Sequence, residues 1–165
     1  MTFLSLALSL TLLVPILSAG TTAITPSIAF EKLGSLVGDW EAKTEMGAVI
    51  RINYRLASAD SVLVQTYTTP SGRQTLTVFH MDGASLIATH YCAQGNQPRL
   101  RLENSSTDNS LAFLFFDATN LPDPGASHLR RLQLDLVDPD HFAQTETYSS
   151  AGKDDTDVLK FARVH

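Results

Sequence analysis

The sequence predicts an all-β fold of about ten short antiparallel strands. Three observations support this prediction. Apolar and polar residues alternate in short segments along most of the chain, and polar or glycine-containing turns separate these segments at nearly regular intervals. Only one segment, near residue 30, has a helical pattern. The 165 residues contain no composition break and no internal repeat, so residues 36–165 are expected to form a single domain.

Residues 1–20 have the features of a secretory signal peptide. They contain no charged side chain and include an apolar run at residues 4–14. Small residues follow, and cleavage is expected near residue 20 or 23. The alternative is a membrane anchor, but a spanning helix needs about 20 apolar residues, and Pro15 interrupts this stretch. The sequence therefore predicts an exported protein, periplasmic or secreted, without a membrane span once the leader is removed.

The part of the chain after the leader is acidic. The leader carries no charge, so the formal net charge of -5 belongs entirely to the remaining residues. An acidic chain without a cluster of Lys and Arg is a poor nucleic-acid binder. The single cysteine, Cys92, cannot form an intrachain disulfide. A buried thiol is its expected state, and a reactive thiol is the alternative.

A leader segment with a short helix occupies residues 21–35, and strands follow. Ser27 is predicted to cap the helix, which ends at Gly34. The acidic run at residues 154–157 is interpreted as a solvated turn. The predicted strands cover residues 36–42, 48–57, 61–69, 73–81, 84–92, 99–103, 111–116, 128–137, 141–149 and 156–164.

A β-sandwich and an up-and-down barrel both fit this pattern of strands. Gly38-x-Trp40, which follows the helical turn, resembles the N-terminal signature of lipocalins and other calycins. This resemblance implies a calycin-like barrel in which Trp40 packs across the closed end. It also implies that Arg163 lies over the indole ring as a clasp between the first and last strands. Such a cation–π contact is worth about 0.5–2 kcal/mol.

A second resemblance involves the segment THYCAQGNQPR at residues 89–99. It is similar to a segment of uncharacterised exported bacterial proteins of the same lipocalin-like type. That similarity implies no activity, and we predict no catalytic residue from it.

The Asp82-Gly83 dipeptide between two alternating runs predicts a two-residue hairpin loop. In that register Thr75 pairs with His90. Side chains alternate across a strand, so His80 lies on the face opposite His90, and the two cannot bind one metal ion. Cys92 shares a face with His90 and could supply a second ligand, but no third ligand at metal-like spacing lies nearby, so the sequence predicts no metal site.

The segment around this hairpin also supplies the candidate ligand-binding residues. Amides offer hydrogen-bond donors and acceptors, and arginine offers a planar fork suited to a carboxylate, as in fatty-acid-binding barrels. The alternative is that Asn96 and Gln97 satisfy backbone groups of their own loop. The candidates are His90, Tyr91, Asn96, Gln97, Arg99 and Arg101.

No cofactor is expected, and haem is the alternative. The strand count is closer to fatty-acid-binding and nitrobindin-like barrels than to eight-stranded lipocalins, and nitrobindin-like barrels use a late histidine as the axial ligand of haem. His128, His141 and His165 are the late histidines of this chain.

The leading hypothesis for function is an exported barrel that binds a small hydrophobic or amphipathic molecule in its interior. Two alternatives remain open. One is an enzyme that uses His90, Tyr91 or Arg99 at the barrel mouth. The other is a structural protein of the cell envelope. The sequence leaves the oligomeric state open.

Overall fold

The structure, a computed structural model, describes residues 23–165. The predicted signal peptide at residues 1–20 lies outside the described residues. Ten antiparallel strands form one closed barrel after one short helix, which confirms the predicted all-β barrel. Each strand pairs with the next strand in the chain, and β1 pairs with β10 to close the ring. None of the described helices is long and apolar enough to cross a membrane.

Helix α1 spans Pro26–Gly34. The strands are β1 Gly38–Lys43, β2 Val49–Ala57, β3 Val62–Thr68, β4 Gln74–Asp82, β5 Ser85–Tyr91, β6 Gln97–Leu102, β7 Ser110–Thr119, β8 His128–Asp138, β9 His141–Ser150 and β10 Lys153–Val164.

The predicted helix cap is wrong. Thr25 caps α1, and its hydroxyl accepts a hydrogen bond from the Ile28 amide at 3.4 Å. Ser27 lies inside the helix because Pro26, with its fixed φ and missing N–H, is suited to the first helical position. Ala29 and Leu33 are fully buried, and α1 contacts β4 and β5. The helix therefore covers one end of the barrel, which we call the closed end.

The predicted register of the β4–β5 hairpin is wrong by two residues. Asp82 pairs with Ser85, and His90 pairs with Thr77. The loop residues are Gly83 and Ala84, and Gly83 has a φ of 56°. A glycine with positive φ is the residue that a type II′ turn requires at its first central position. A shift of two residues preserves the side-chain alternation, so the predicted division of the two faces is confirmed: Phe79 and His90 are buried.

The acidic run at residues 154–157 is a strand and not the predicted turn. Residues 153–162 pair continuously with β9. The true turn lies just before them, at Ala151 and Gly152, whose φ angles are 50° and 75°. Positive φ at both central residues is typical of a type I′ hairpin turn. The prediction of a turn rested on the charges of this segment. Charged side chains are nevertheless common on a strand at the edge of a sheet, where they can face solvent.

The barrel closes unevenly along β10. β1 pairs with β10 only through residues 39–41, whereas β9 pairs with it through residues 153–162. Among the described residues, the part of β10 from 153 to 160 therefore has a partner strand on one side only. We call the resulting gap, between β10 and the hairpin that joins β1 to β2, the seam.

Large apolar side chains fill the closed half of the barrel. Trp40 packs edge-on against Phe142, with ring centroids 4.8 Å apart. Phe142 stacks on Phe161 at 5.0 Å and meets Tyr54 edge-on at 6.0 Å. All four rings are almost fully buried. These rings therefore pack closely against one another in the interior of this half.

Arg163 joins the two strands that close the ring. Its guanidinium carbon lies 4.1 Å from the centroid of the Trp40 ring. The same group donates hydrogen bonds to the carbonyls of Ser35, Val37 and Pro139 at 2.9–3.1 Å. The Trp40 indole N–H donates to the Leu36 carbonyl at 2.7 Å. These contacts connect the segment before β1, the β8–β9 turn and the end of β10.

Gly38 is required by this arrangement. Its φ is 132°, a conformation that residues with a Cβ rarely adopt. A Cβ at this position would also lie 2.8 Å from Nη1 of Arg163. The glycine of the Gly-x-Trp motif therefore leaves the space in which the guanidinium covers the indole ring.

We expect Arg163→Ala to lower the free energy of unfolding by about 2–4 kcal/mol, because it removes the cation–π contact and leaves three carbonyls without their donor. Arg163→Lys keeps the charge but loses the planar fork, so it should cost about 1–3 kcal/mol. Urea unfolding measures both changes. Arg55→Ala, at an exposed position of β2, is the control. Full stability in Arg163→Lys would contradict the role assigned to the fork.

Gly38→Ala should lower the free energy of unfolding by about 2–4 kcal/mol, since both backbone strain and the contact with Arg163 oppose the new Cβ. The same substitution should cost less in an Arg163→Ala background, where only the strain remains. Gly34→Ala is the matched control, because nothing lies within 4 Å of its added Cβ. Equal costs for Gly38→Ala in both backgrounds would show that the steric contact is unimportant.

Candidate functional site

A cavity of about 660 Å³ lies along the seam, in the open half of the barrel. Its apolar wall includes Met46, Ile50 and Leu159. Lys43 and Glu45 border it from the end of β1 and the hairpin that follows. The polar side chains that line it from strands β3, β9 and β10 are Tyr67, Gln144, Glu146, Thr156 and Asp157.

A chain of hydrogen bonds supports this polar wall from the barrel interior. The buried amide of Gln65 donates to the Tyr54 hydroxyl at 2.5 Å and to Oε1 of Gln144 at 2.7 Å. The Gln144 amide in turn donates to Oε1 of Glu146 at 2.8 Å. The Gln144 oxygen accepts a hydrogen bond from Gln65, so its N–H group must point towards Glu146. The carboxylate of Glu146 is therefore held in place at the wall of the cavity.

The environment of Glu146 favours its neutral form. Burial raises its pKa to about 7, and the negative charge of Asp157 on the adjacent strand acts in the same direction, against the hydrogen bond from Gln144. Asp157 is the cross-strand partner of Glu146, so the two carboxyl groups lie on the same face of the sheet. Glu146 is thus a carboxyl group that changes its charge near neutral pH.

Burial and Glu146 also raise the pKa values of nearby tyrosines. The pKa of Tyr67 is raised to about 12, chiefly by burial. The pKa of Tyr148 is raised as well, by burial first and by the charge of Glu146 second. Both phenols therefore remain protonated at physiological pH and can donate or accept a hydrogen bond.

His90 belongs to the same polar layer. Its Nδ1 lies 3.0 Å from the Thr77 hydroxyl, and its Nε2 lies 3.2 Å from the Tyr148 hydroxyl. Burial lowers its pKa to about 4, so the ring is neutral over the physiological range. One ring nitrogen then donates and the other accepts, and both hydroxyls can rotate to match. The imidazole is fully engaged in the wall of the barrel.

The structure separates the six candidate ligand-binding residues predicted from the sequence. His90 and Asn96 are buried. Tyr91, Gln97 and Arg99 line a groove of about 390 Å³ on the outer face, together with His80. Arg101 lies on the outer face 4.5 Å from the Phe116 ring centroid. The enzyme hypothesis requires His90, Tyr91 and Arg99 to converge on one point. They do not, because His90 is buried and the other two line the outer groove.

Most polar groups of this segment are paired within the protein, although the side-chain oxygen of Asn96 is buried without a hydrogen-bond partner among the described residues. The Asn96 amide donates to the Ser127 carbonyl at 2.9 Å, and the Gln97 amide donates to the Gly95 carbonyl at the same distance. Arg99 forms a two-pronged ion pair with Asp117. Cys92 was expected to be buried, but it is only half-buried. Its sulfur accepts a hydrogen bond from the backbone N–H of Gln94 at 3.5 Å.

Each of the three late histidines has a polar contact within the protein. His128 is buried, with Nδ1 2.8 Å from the Ala126 carbonyl. His141 contacts Asp138 at 2.9 Å, and His165 contacts Asp140 at 3.6 Å. Within residues 23–165, no three His, Cys, Asp or Glu side chains come together in an arrangement that could hold a metal ion.

The polar side chains of the cavity were missed by sequence reasoning. Gln144 and Glu146 lie between Phe142 and Tyr148 at alternate positions of β9, and all four face inward. Polar residues within an inward-facing row of a strand are the signal that could have identified them. Alternation alone did not show which row of β9 faces the interior.

No family model matches this chain, and no curated protein matches it. The closed ten-stranded barrel is consistent with a calycin-like fold, and a shared fold alone implies no function.

Two buried groups should give the stability opposing dependences on pH. Glu146 has a raised pKa in the folded state, so its contribution to stability is lost as pH rises from about 4.5 to 7. His90 has a lowered pKa, so its contribution is lost as pH falls from about 6.5 to 4. In the unsubstituted protein the two effects partly cancel between these values.

Glu146→Gln should therefore reveal the histidine effect. We expect the free energy of unfolding of this variant to fall by on the order of 1–2 kcal/mol when pH is lowered from 6.5 to 4.5, more steeply than in the parent. Urea titrations at several pH values measure this. Glu41→Gln, on the exposed outer face, should keep the parent's profile. Identical profiles for Glu146→Gln and the parent would refute the assignment.

Proposed function

We propose that this protein is an exported barrel that binds a small, partly apolar molecule in the cavity along the seam. The single observation that carries the proposal is the cavity itself. Its volume of about 660 Å³ falls within the range of about 300–1,000 Å³ that is usual for small-molecule sites.

The chemistry of the walls supports the proposal. Ligand sites generally combine an apolar lining with a few fixed polar groups that orient the ligand. Here Ile50 and Leu159 offer apolar contact, and Tyr67 and Glu146 offer polar groups on the same cavity. The hydrogen bond from Gln144 holds Glu146 in position before a ligand arrives. Such preorganisation lowers the cost of binding.

The division of the barrel supports the proposal as well. The closed half is packed with aromatic side chains and bound together by Arg163. A rigid half of this kind holds the strands that carry the polar wall at fixed positions. The seam offers a route from solvent to the cavity, because no described strand covers the edge of β10 at residues 153–160.

Export is part of the same proposal. It rests on residues 1–20, which have the composition of a secretory leader. The ligand would then be met in the periplasm or outside the cell.

Binding can be tested with Nile red, a neutral apolar dye whose fluorescence rises when it leaves water. We expect saturable binding to the protein. Leu159→Trp replaces a leucine side chain on the cavity wall by a larger indole ring. It should weaken Nile red binding about five- to tenfold, because the indole occupies the apolar contact region. Val137→Trp is the control, since Val137 is exposed on β8 and does not line the cavity. Non-saturable binding, or equal affinity in both variants, would contradict the proposal.

A further inference from the structure

We propose that the natural ligand of the cavity carries a cationic amine group, and that Glu146 and Asp157 bind this group at the seam. This inference rests on the proposed function of the cavity and specifies the chemical class of its ligand.

The charges that line the cavity favour a cation. Glu146 and Asp157 face each other on neighbouring strands as a cross-strand pair, and Glu45 lies at the rim. Lys43 is the one basic side chain among the lining residues. Like charges held opposite one another repel, so an ammonium group between Glu146 and Asp157 would replace repulsion with two attractive contacts.

The carboxylate of Glu146 keeps unused capacity for hydrogen bonds. A carboxylate has about four acceptor sites, and within residues 23–165 the Gln144 amide is its one hydrogen-bond donor. No described Lys, Arg or His forms an ion pair with it. The amide of Gln144 is itself committed at both ends, to Gln65 and to Glu146. A primary ammonium group, with three N–H donors and no acceptor, complements this wall.

The aromatic and apolar groups of the cavity fit the remainder of such a ligand. The Tyr67 ring lines the same cavity, and aromatic faces attract cations. Leu159 and Ile50 present an apolar surface to the hydrocarbon part of the molecule. A fatty acid would place its carboxylate against Glu146 and Asp157, which opposes its binding.

The proposal predicts that binding depends on pH. The titratable or charged groups that face or influence Glu146 are Asp157 on β10, Tyr54 on β2, Tyr67 on β3, Tyr148 on β9, and Lys43 and Glu45 beside the first hairpin. The pKa of Glu146 is near 7, so the carboxyl group ionises as pH rises through neutrality. An alkylamine stays protonated over this range, so its affinity should increase from pH 6 to pH 8.

Competition against Nile red tests the inference with three compounds of equal chain length: decylamine, decanol and decanoate, each below its micellar concentration. At pH 8 we expect decylamine to compete at least about tenfold better than decanoate. Glu146→Gln should weaken decylamine about tenfold and leave decanol nearly unchanged, since only the charge-assisted contact is lost. Asp157→Asn should act in the same direction with a smaller effect. Glu41→Gln, on the outer face, should change none of them.

The outcomes separate the two proposals. Equal competition by decylamine and decanol, or an unchanged preference in Glu146→Gln, would overturn the amine class and leave the binding function standing. Preference for decanoate would likewise overturn it. If Nile red itself shows no saturable binding, the proposed function fails, and the amine class fails with it.

Discussion

The contact between Arg163 and Trp40 is the interaction on which the rest of the barrel depends. β1 and β10 share a ladder of only three residue pairs, so hydrogen bonds between strands contribute little to closing the ring. The guanidinium adds a stacked contact and three bonds to carbonyls from segments that are far apart in the chain. Closure is thereby concentrated at one end. Towards the opposite end, β10 and the hairpin that joins β1 to β2 are not paired, and the gap between them is the seam.

This concentration also divides the interior into two chemical zones. Aromatic rings around Phe142 fill the closed half, and the hydrophobic contribution of the core is located there. The open half contains buried polar side chains, each of which is hydrogen-bonded: Gln65, Thr77, His90 and Gln144. Burying such groups is tolerable only because the chain of donors and acceptors is nearly complete. Glu146 stands at its end, where the protein supplies one donor and the cavity begins.

Much of the architecture follows from local patterns that a reader can find in the sequence. Alternation defined most strands, and the resemblance of Gly38-x-Trp40 to the calycin signature implied that Arg163 joins the first strand to the last. The β4–β5 register was predicted incorrectly because Gly83, and not the Asp-Gly pair, determines the turn. The cavity residues were harder to identify. Whether Glu146 faces inward depends on how all ten strands close, which is a property of the ring and not of β9.

Among residues 23–165, no strand pairs with one edge of β10 at residues 153–160, and this has a consequence for the behaviour of the protein in concentrated solution. A free strand edge is a template on which another copy can add a strand, and this is a common route to aggregation. Here the edge carries Asp154, Asp155 and Asp157, flanked by Lys153 and Lys160. Two copies aligned edge to edge would place charges of the same sign close together. The acidic run therefore opposes strand pairing between two copies while leaving the seam open.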